Sequence, residues 1–425
     1  MRSSACLRRA AGGQRAQLVR YGRFIANEKV SVAALLEGWG EQTRCAAAGR
    51  RHVLAIQDTS EINFRTTQER RRGLGEIGKG GGRGVLLHAM LAVDADTDTC
   101  LGLVAGDVWT RSGRVTIEHG KRPISDKESR RWIGTAQKAR EVLAGAAMIT
   151  VIDDREGDIY EKWATVRGPG VHLLTRSMHD RALADKGSMY AAAADFAVAD
   201  VATLELIGRA NRPARKAELT MRFGTVSVNR PRRAAAHLPA SIDLTLIEIV
   251  EDKPPPGAEP LHWYLLTSHA VEDATAAWDI VGLYRKRWII EQFFRTLKTQ
   301  GLQLEDSRLE TADRLLKITA ITARAAVIIM QLVQARDGHG GEPASTAFND
   351  TQLDLLAALG ARNEGRTTLQ SNPHQTRSLA WAAWIIARLG GWDGYPRTKP
   401  GPITMRHGLQ YFLGVANAWD ALRDV

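Results

Sequence analysis

The sequence predicts an α/β fold: a sheet core whose strands end in acidic residues, interrupted by an all-β insertion and flanked by helices on both sides. Three observations carry that reading. Short apolar runs, His52 to Ile56 and Ala146 to Ile152, end in Gln57-Asp58-Thr59 and Asp153-Asp154, with a hairpin pattern and an amphipathic helical pattern between them. Alternating β-branched runs with basic turns follow, from Val201 to Val250. Then Tyr284 to Lys298, without Gly or Pro, reads as a helix.

Composition bounds the function. The chain has 425 residues, 44% hydrophobic and 25% charged, as in a globular protein with a sizeable core. Its net charge of +11 is mostly Arg excess, which favours phosphate-bearing partners through bidentate geometry, though basicity alone does not single out nucleic acid. Cys6, Cys45 and Cys100 are scattered, with neither metal-ligand spacing nor a disulfide framework, which suits a reducing cytoplasm. No apolar run is expected to span a membrane, and no signal peptide is expected at the start.

Residues 1–51 are Arg-rich, with Arg2, Arg8, Arg9, Arg15, Arg20 and Arg23 among them, and carry two expected helices. The second, Val32 to Thr43, is capped by Ser31. The run into Asp58 is a buried strand with a carboxylate at its C-terminal end, where α/β sheets place their chemistry; such an Asp can also be only a turn former. Gly73 to Gly84 is a basic loop with Gly73, Gly78 and Lys79 at phosphate-loop spacing. Gly80 stands where a Ser or Thr ligand belongs, and the loop precedes a strand, so a nucleotide-binding loop is rejected. Val85 to Val93 and Cys100 to Trp109 form a hairpin, Lys127 to Leu143 a helix after Pro123, and Val171 to Thr175 a further strand. The order strand, hairpin, helix, strand, helix, strand is that of an RNase H-like core spanning residues 52–177, with Asp58 on the first strand and Asp154 on the fourth.

Residues 178–260 hold the β insertion, with basic turns at Arg212 to Lys216 and Arg230 to Arg233. Residues 261–300 complete the core with the strand His262 to Thr267 and the carboxylate helix. At roughly 100° per residue, Tyr284, Arg287, Glu291 and Lys298 fall within about a 60° arc, so one stripe carries a phenol, a guanidinium, a carboxylate and an ammonium. Ile289, Ile290, Phe293 and Leu297 cover much of the rest. This is either a helix with one solvated stripe or a carboxylate held in a phosphate-handling site. Residues 301–425 are helical: Thr311 to Ala335, then segments near Thr351 to Leu359, Thr376 to Leu389 and Met405 to Leu422. The turn Gly390 to Pro396 lies between the last two.

Asp58, Asp154 and Glu291 have the composition that two-metal phosphoryl chemistry needs: hard cations take oxygen ligands, and several carboxylates offset their charge. Here the sequence resembles a known family. Tyr284-x2-Arg287-x3-Glu291-x6-Lys298 is similar to the Y-R-E-K signature of bacterial DDE transposases of the IS-four family, the group that includes the Tn-five transposase. Gln57-Asp58-Thr59 resembles the family's first Asp motif, Asp154-Arg155-Glu156-Gly157-Asp158-Ile159 its second, and Gly391-Trp392-Asp393-Gly394-Tyr395 a turn near its C-terminus.

The resemblance implies an RNase H-like catalytic domain that uses Mg²⁺ or Mn²⁺, two ions, on Asp58, Asp154 and Glu291. It implies that Tyr284, Arg287, Lys298, Arg176 and Trp263 hold double-stranded DNA, with Trp263 either stacking on a flipped base or serving as a core residue. It further implies a homodimer formed through the C-terminal helices, and a bacterial cytoplasmic, nucleoid-associated location. Family members carry a complete N-terminal helical domain that binds the element's ends. Only its last part, Arg23 to Thr43, is matched. An inactive DNA-binding remnant and a standalone nuclease of the same fold are the alternatives.

Overall fold

Eleven residues on the sheet's first strand set the frame: β1 spans Val53–Asn63. The computed structural model describes residues 15–64, 72–78, 81–111, 124–206, 214–338, 341–395 and 397–423. Arg2, Cys6, Arg8, Arg9, Lys79, Gly80, Pro123, Ile207, Arg212 and Pro396 lie outside them. After β1 come β2 (Gly75–Ile77), β3 (Gly82–Asp94), β4 (Cys100–Trp109), β5 (Ile149–Asp153) and β6 (Val171–Arg176). Then follow β7 (Val198–Leu206), β8 (Arg215–Asn229), β9 (Ser241–Glu251) and β10 (His262–Thr267).

Among the described residues, ten strands join one sheet in the order β2-β3-β1-β5-β6-β10-β9-β8-β7, with β4 also on β3. β1 runs antiparallel to β3 and parallel to β5, and β5 runs parallel to β6. The strands β7, β8 and β9, expected as an insertion, enter between β6 and β10 in sequence and extend the same sheet beyond β10. The expected strand and helix order from β1 to β6 is present.

Helices cover both faces. On one side of the sheet, Leu54, Ile56, Leu87, Ile152, Leu174 and Leu265 pack with the helices Trp288–Arg295, Ala312–Ala335 and Leu379–Leu389. On the other, Val53, Ala55, Val151 and Leu173 pack with Arg130–Val142 and Tyr160–Val166. At the N-terminal end, Ser31 caps Val32–Glu37 by accepting the Ala34 N–H at 3.1 Å, as expected, but the helix breaks at Gly38 and resumes as Trp39–Ala47.

Three expectations need correction. The Gly73 to Gly84 stretch is not only loop: β2 pairs with the first residues of β3. Gly84 also lets β3 lie close against β1, since a Cβ there would stand 2.2 Å from the Ile62 carbonyl oxygen. Tyr284 to Lys298 is not one helix. Ala274–Arg285 ends at Lys286, Trp288–Arg295 follows, and Lys298 sits on a wider turn, Thr296–Gln300. Between the two helices the amides of Arg287, Ile289 and Ile290 bond three residues back, which tightens the path. Finally, Ala312–Ala335 is long and apolar enough to cross a membrane by length and composition; 67% of its most apolar window is buried inside the protein, where the sheet and the later helices cover it.

Candidate active site

The two-residue period of a strand decides which side chains face the site. On β1, Leu54 and Ile56 belong to one core layer and Val53 and Ala55 to the other, so Asp58 follows the first pair, and Gln57 and Thr59 the second. On β5, Ile152 lies in the first layer and Ile149 and Val151 in the second. Asp154 therefore falls on the face of Asp58, and Asp153 on the opposite face. Arg176 continues the parity of Leu174, and Trp263 that of Leu265, onto the same face as Asp58.

Glu291 reaches this face from the helix Trp288–Arg295, which Ile290 and Phe293, both fully buried, anchor in the core. Arg287 stands between two of these carboxylates. Its Nη1 donates to Asp58 Oδ2 at 3.1 Å and lies 3.6 Å from Glu291 Oε1. The charge of Asp154 also acts on it. Asp58 accepts the Thr59 N–H at 2.7 Å, and Asp154 accepts the Glu156 N–H at 2.8 Å.

Asp58 is 9% exposed. Burial first, and then the Asp154 charge, push its carboxyl up to about 7; Glu291 adds to this, while Arg287 and the Thr59 N–H work against it. The charges of Asp154 and Glu291, from distant stretches, thus both act on Asp58. Among the described residues, no three His, Cys, Asp or Glu side chains stand together in metal-ligating geometry. The chemistry of the set nonetheless fits a hard divalent cation: all donors are carboxylate oxygens, and their mutual repulsion is what a cation relieves.

Arg176, Trp263, Tyr284 and Arg287 line one groove of about 1950 Å³, together with Arg155, Arg215, Arg285, Lys286 and Arg295. Tyr284 is buried and meets the Trp263 ring edge-on with centroids 5.5 Å apart. Burial pushes its phenol up and pushes the Arg176 guanidinium down. Trp263 is partly buried against the core and also lines the groove, so its surroundings suit both roles considered for it. Lys298 is placed apart from these four. It lines a separate hollow of about 500 Å³ with Thr59, Ser60 and Glu61. Burial lowers its ammonium, against the charges of Glu305 and Glu291.

The adjacent acids Asp153 and Asp154 separate cleanly. Asp153 is fully buried and ion-pairs with Lys162, while accepting from Gln57 Nε2 at 2.6 Å and Thr175 Oγ1 at 2.9 Å. Sequence reading missed Lys162, and it gave Arg155 of the second motif and Arg215 of the basic turn no place in the groove. Strand alternation alone would have turned Asp153 away from Asp58, but a lysine on a short helix carries no sign that it is buried.

Residues 121–328, just under half of the chain, match the family described as transposase DDE domain. The match takes in Asp154, Glu291 and the groove residues Arg176, Trp263, Tyr284 and Arg287, and leaves Asp58 outside. It supports a DDE transposase, a class that uses divalent metal ions. Among solved structures, the cryo-EM structure of the piggyBac transposase synaptic complex with hairpin DNA is similar at 12% identity and a TM-score of 0.33. The alignment covers 68% of this chain and 48% of that one, so the chain spans about half of that protein's length.

Proposed function

We propose that this protein is a DDE transposase of the IS-four kind, which cuts DNA at the ends of an insertion sequence and joins them to a target. What supports the reading is that Arg287 bonds Asp58 and pairs with Glu291, while the charge of Asp154 acts on both Asp58 and Arg287. In this reading residues 52–177 and 261–300 are an RNase H-like catalytic core and residues 178–260 its β insertion. Residues 1–51 belong to an end-binding region, and residues 301–425 join two copies in the synaptic complex.

Asp58, Asp154 and Glu291 would hold Mg²⁺ or Mn²⁺, two ions, which would supply charge to activate the attacking oxygen and stabilise the leaving one. Arg287 holds Asp58 and Glu291 and would offer its remaining donors to a DNA phosphate. Arg176 and Tyr284 hold the strand along the groove, Lys298 takes a phosphate on the far side of Asp58, and Trp263 offers a stacking face to a base. Water attacks the phosphodiester at the element's end and frees a 3′-hydroxyl. That hydroxyl then attacks a target phosphodiester, displacing the target's own 3′-oxygen, so one bond forms for each broken. The working location is the bacterial nucleoid.

The test is Mn²⁺-dependent nicking of a duplex carrying the DNA that flanks the reading frame, with the wild type beside Glu291→Gln. The expected result is end-specific nicking by the wild type, and a loss on the order of 10²-fold or more in the variant, because the missing charge sits where the metals are held. Binding without nicking by the wild type would show an inactive remnant. Equal nicking of any duplex, with no joining, would show a plain nuclease.

A further inference from the structure

Beneath the site, on the opposite face of the sheet, runs a chain of buried polar side chains. It starts at Thr59, whose Oγ1 lies 2.8 Å from His88 Nδ1. His88 Nε2 lies 3.2 Å from Gln57 Oε1, and Gln57 Nε2 donates to Asp153 Oδ1 at 2.6 Å. Asp153 then pairs with Lys162, and the side chains of both are 0% exposed. Lys162 Nζ also donates to Gly157 O at 2.6 Å and lies 3.2 Å from Thr175 Oγ1.

Two of these contacts bracket Asp154. Asp153 precedes it, and Gly157 closes the turn that follows it. Gly157 rests directly on Asp153: a Cβ on Gly157 would stand 2.3 Å from Asp153 Cβ. One buried amine therefore grips both ends of the turn. A buried ion pair is a weak source of stability, since neutral groups of similar shape often replace it without loss, whereas its fixed hydrogen bonds specify geometry.

We propose that Lys162 is a positioning residue for Asp154: it clamps the Asp153–Gly157 turn from beneath, and the chain through Asp153, Gln57, His88 and Thr59 ties that turn to the strand carrying Asp58. The proposal rests on reading Asp154 as a metal ligand. Lys162 itself touches neither DNA nor metal. It acts as the outer partners of metal ligands do, by holding a ligand in place.

The test uses the full chain with both partners changed together, Asp153→Asn/Lys162→Met, so that no charge is stranded. Gly157 O keeps the Ile159 N–H at 2.8 Å in that variant. The urea midpoint should stay or rise. The amides of Glu156 and Gly157 should exchange with solvent faster, and Mn²⁺ affinity by titration calorimetry should fall about 10–100-fold. In nicking, kcat should fall with KM for DNA unchanged. Wild-type exchange and Mn²⁺ affinity in the double variant overturn the proposal. Should that variant not fold, Thr175→Val keeps both charges and removes one partner of Asp153; unchanged exchange and affinity there overturn it equally. A wild type that binds no Mn²⁺ defeats the metal-site reading instead, and the exchange rates then decide the clamp alone.

Discussion

Gly157 has no room for a side chain. Its Cβ position is occupied by Asp153, itself held by Gln57, Thr175 and Lys162, so nothing nearby can give way. Gly157→Ala should destabilise the protein by about 1–3 kcal/mol, the usual cost of overpacking a rigid site, as read by urea denaturation. A midpoint within error of wild type would mean that the turn is slack. Asp58 behaves differently, because its cost is electrostatic. Asp58→Asn removes a charge that burial and Asp154 disfavour, so the metal-free fold should hold while nicking falls on the order of 10²-fold or more. Nicking at the wild-type rate would remove Asp58 from the site.

At the scale of elements, the starts of β1 and β6 and the segment after β10 gather histidines around Thr150 of β5. His52 Nε2 lies 2.7 Å and His269 Nε2 2.8 Å from Thr150 Oγ1, and His172 stacks on His269. Burial holds His52 down to about 4 and His269 down to about 3, with Arg51, Lys286 and Asp96 the charged groups facing His52. His88, buried under the site, is also held to about 3. In each case the unfolded chain takes up a proton near pH 6.5 that the folded chain refuses. Their contribution to stability is complete above that pH and is lost as pH falls from about 6.5 toward 3, by at most about 1.4 kcal/mol per pH unit for each histidine. Urea midpoints should therefore drop on going from pH 7 to pH 5, and His269→Gln should flatten that dependence. An equal slope in the variant would contradict the assignment.

The same scale shows what the sequence made legible. Strand runs, their Asp ends and the order of elements were readable, because alternation and apolar runs are local. The motif favours Asp154 over Asp153, and strand parity turns the two to opposite faces of the sheet. The break at Lys286 was not readable. Lys286, at the break, reaches Ala95 O at 2.5 Å and Asp98 at 2.6 Å, residues nearly 200 positions away in sequence that local pattern does not connect to it. The short β2 escaped notice because a glycine-rich stretch carries no strand propensity and pairs only because β3 is present. Lys162 looked like any surface lysine until the fold buried it.

For the whole molecule, the net charge of +11 gains meaning from where the cations stand. Arg155, Arg176, Arg215, Arg285, Lys286, Arg287 and Arg295 share one groove with Trp263. If six or more of them meet phosphates, duplex affinity should fall by about 10³-fold or more between 50 and 200 mM salt, through counterion release. Arg285→Ala/Arg295→Ala, two exposed groove cations, should make that slope shallower by roughly two counterions, as read from binding at several salt concentrations. A slope unchanged by the variant would place the DNA elsewhere on the surface.

The central claim is that Asp58, Asp154 and Glu291 form one metal site, and Mn²⁺ titration calorimetry at pH 8, without DNA, tests it most directly. Asp58 is then ionised, since its carboxyl titrates at about 7. The account predicts that the wild type binds Mn²⁺ and that Asp58→Asn, Asp154→Asn and Glu291→Gln each weaken it by about tenfold or more, because divalent cations of this kind favour carboxylate oxygens. Affinity that survives any one of the three changes intact would contradict it.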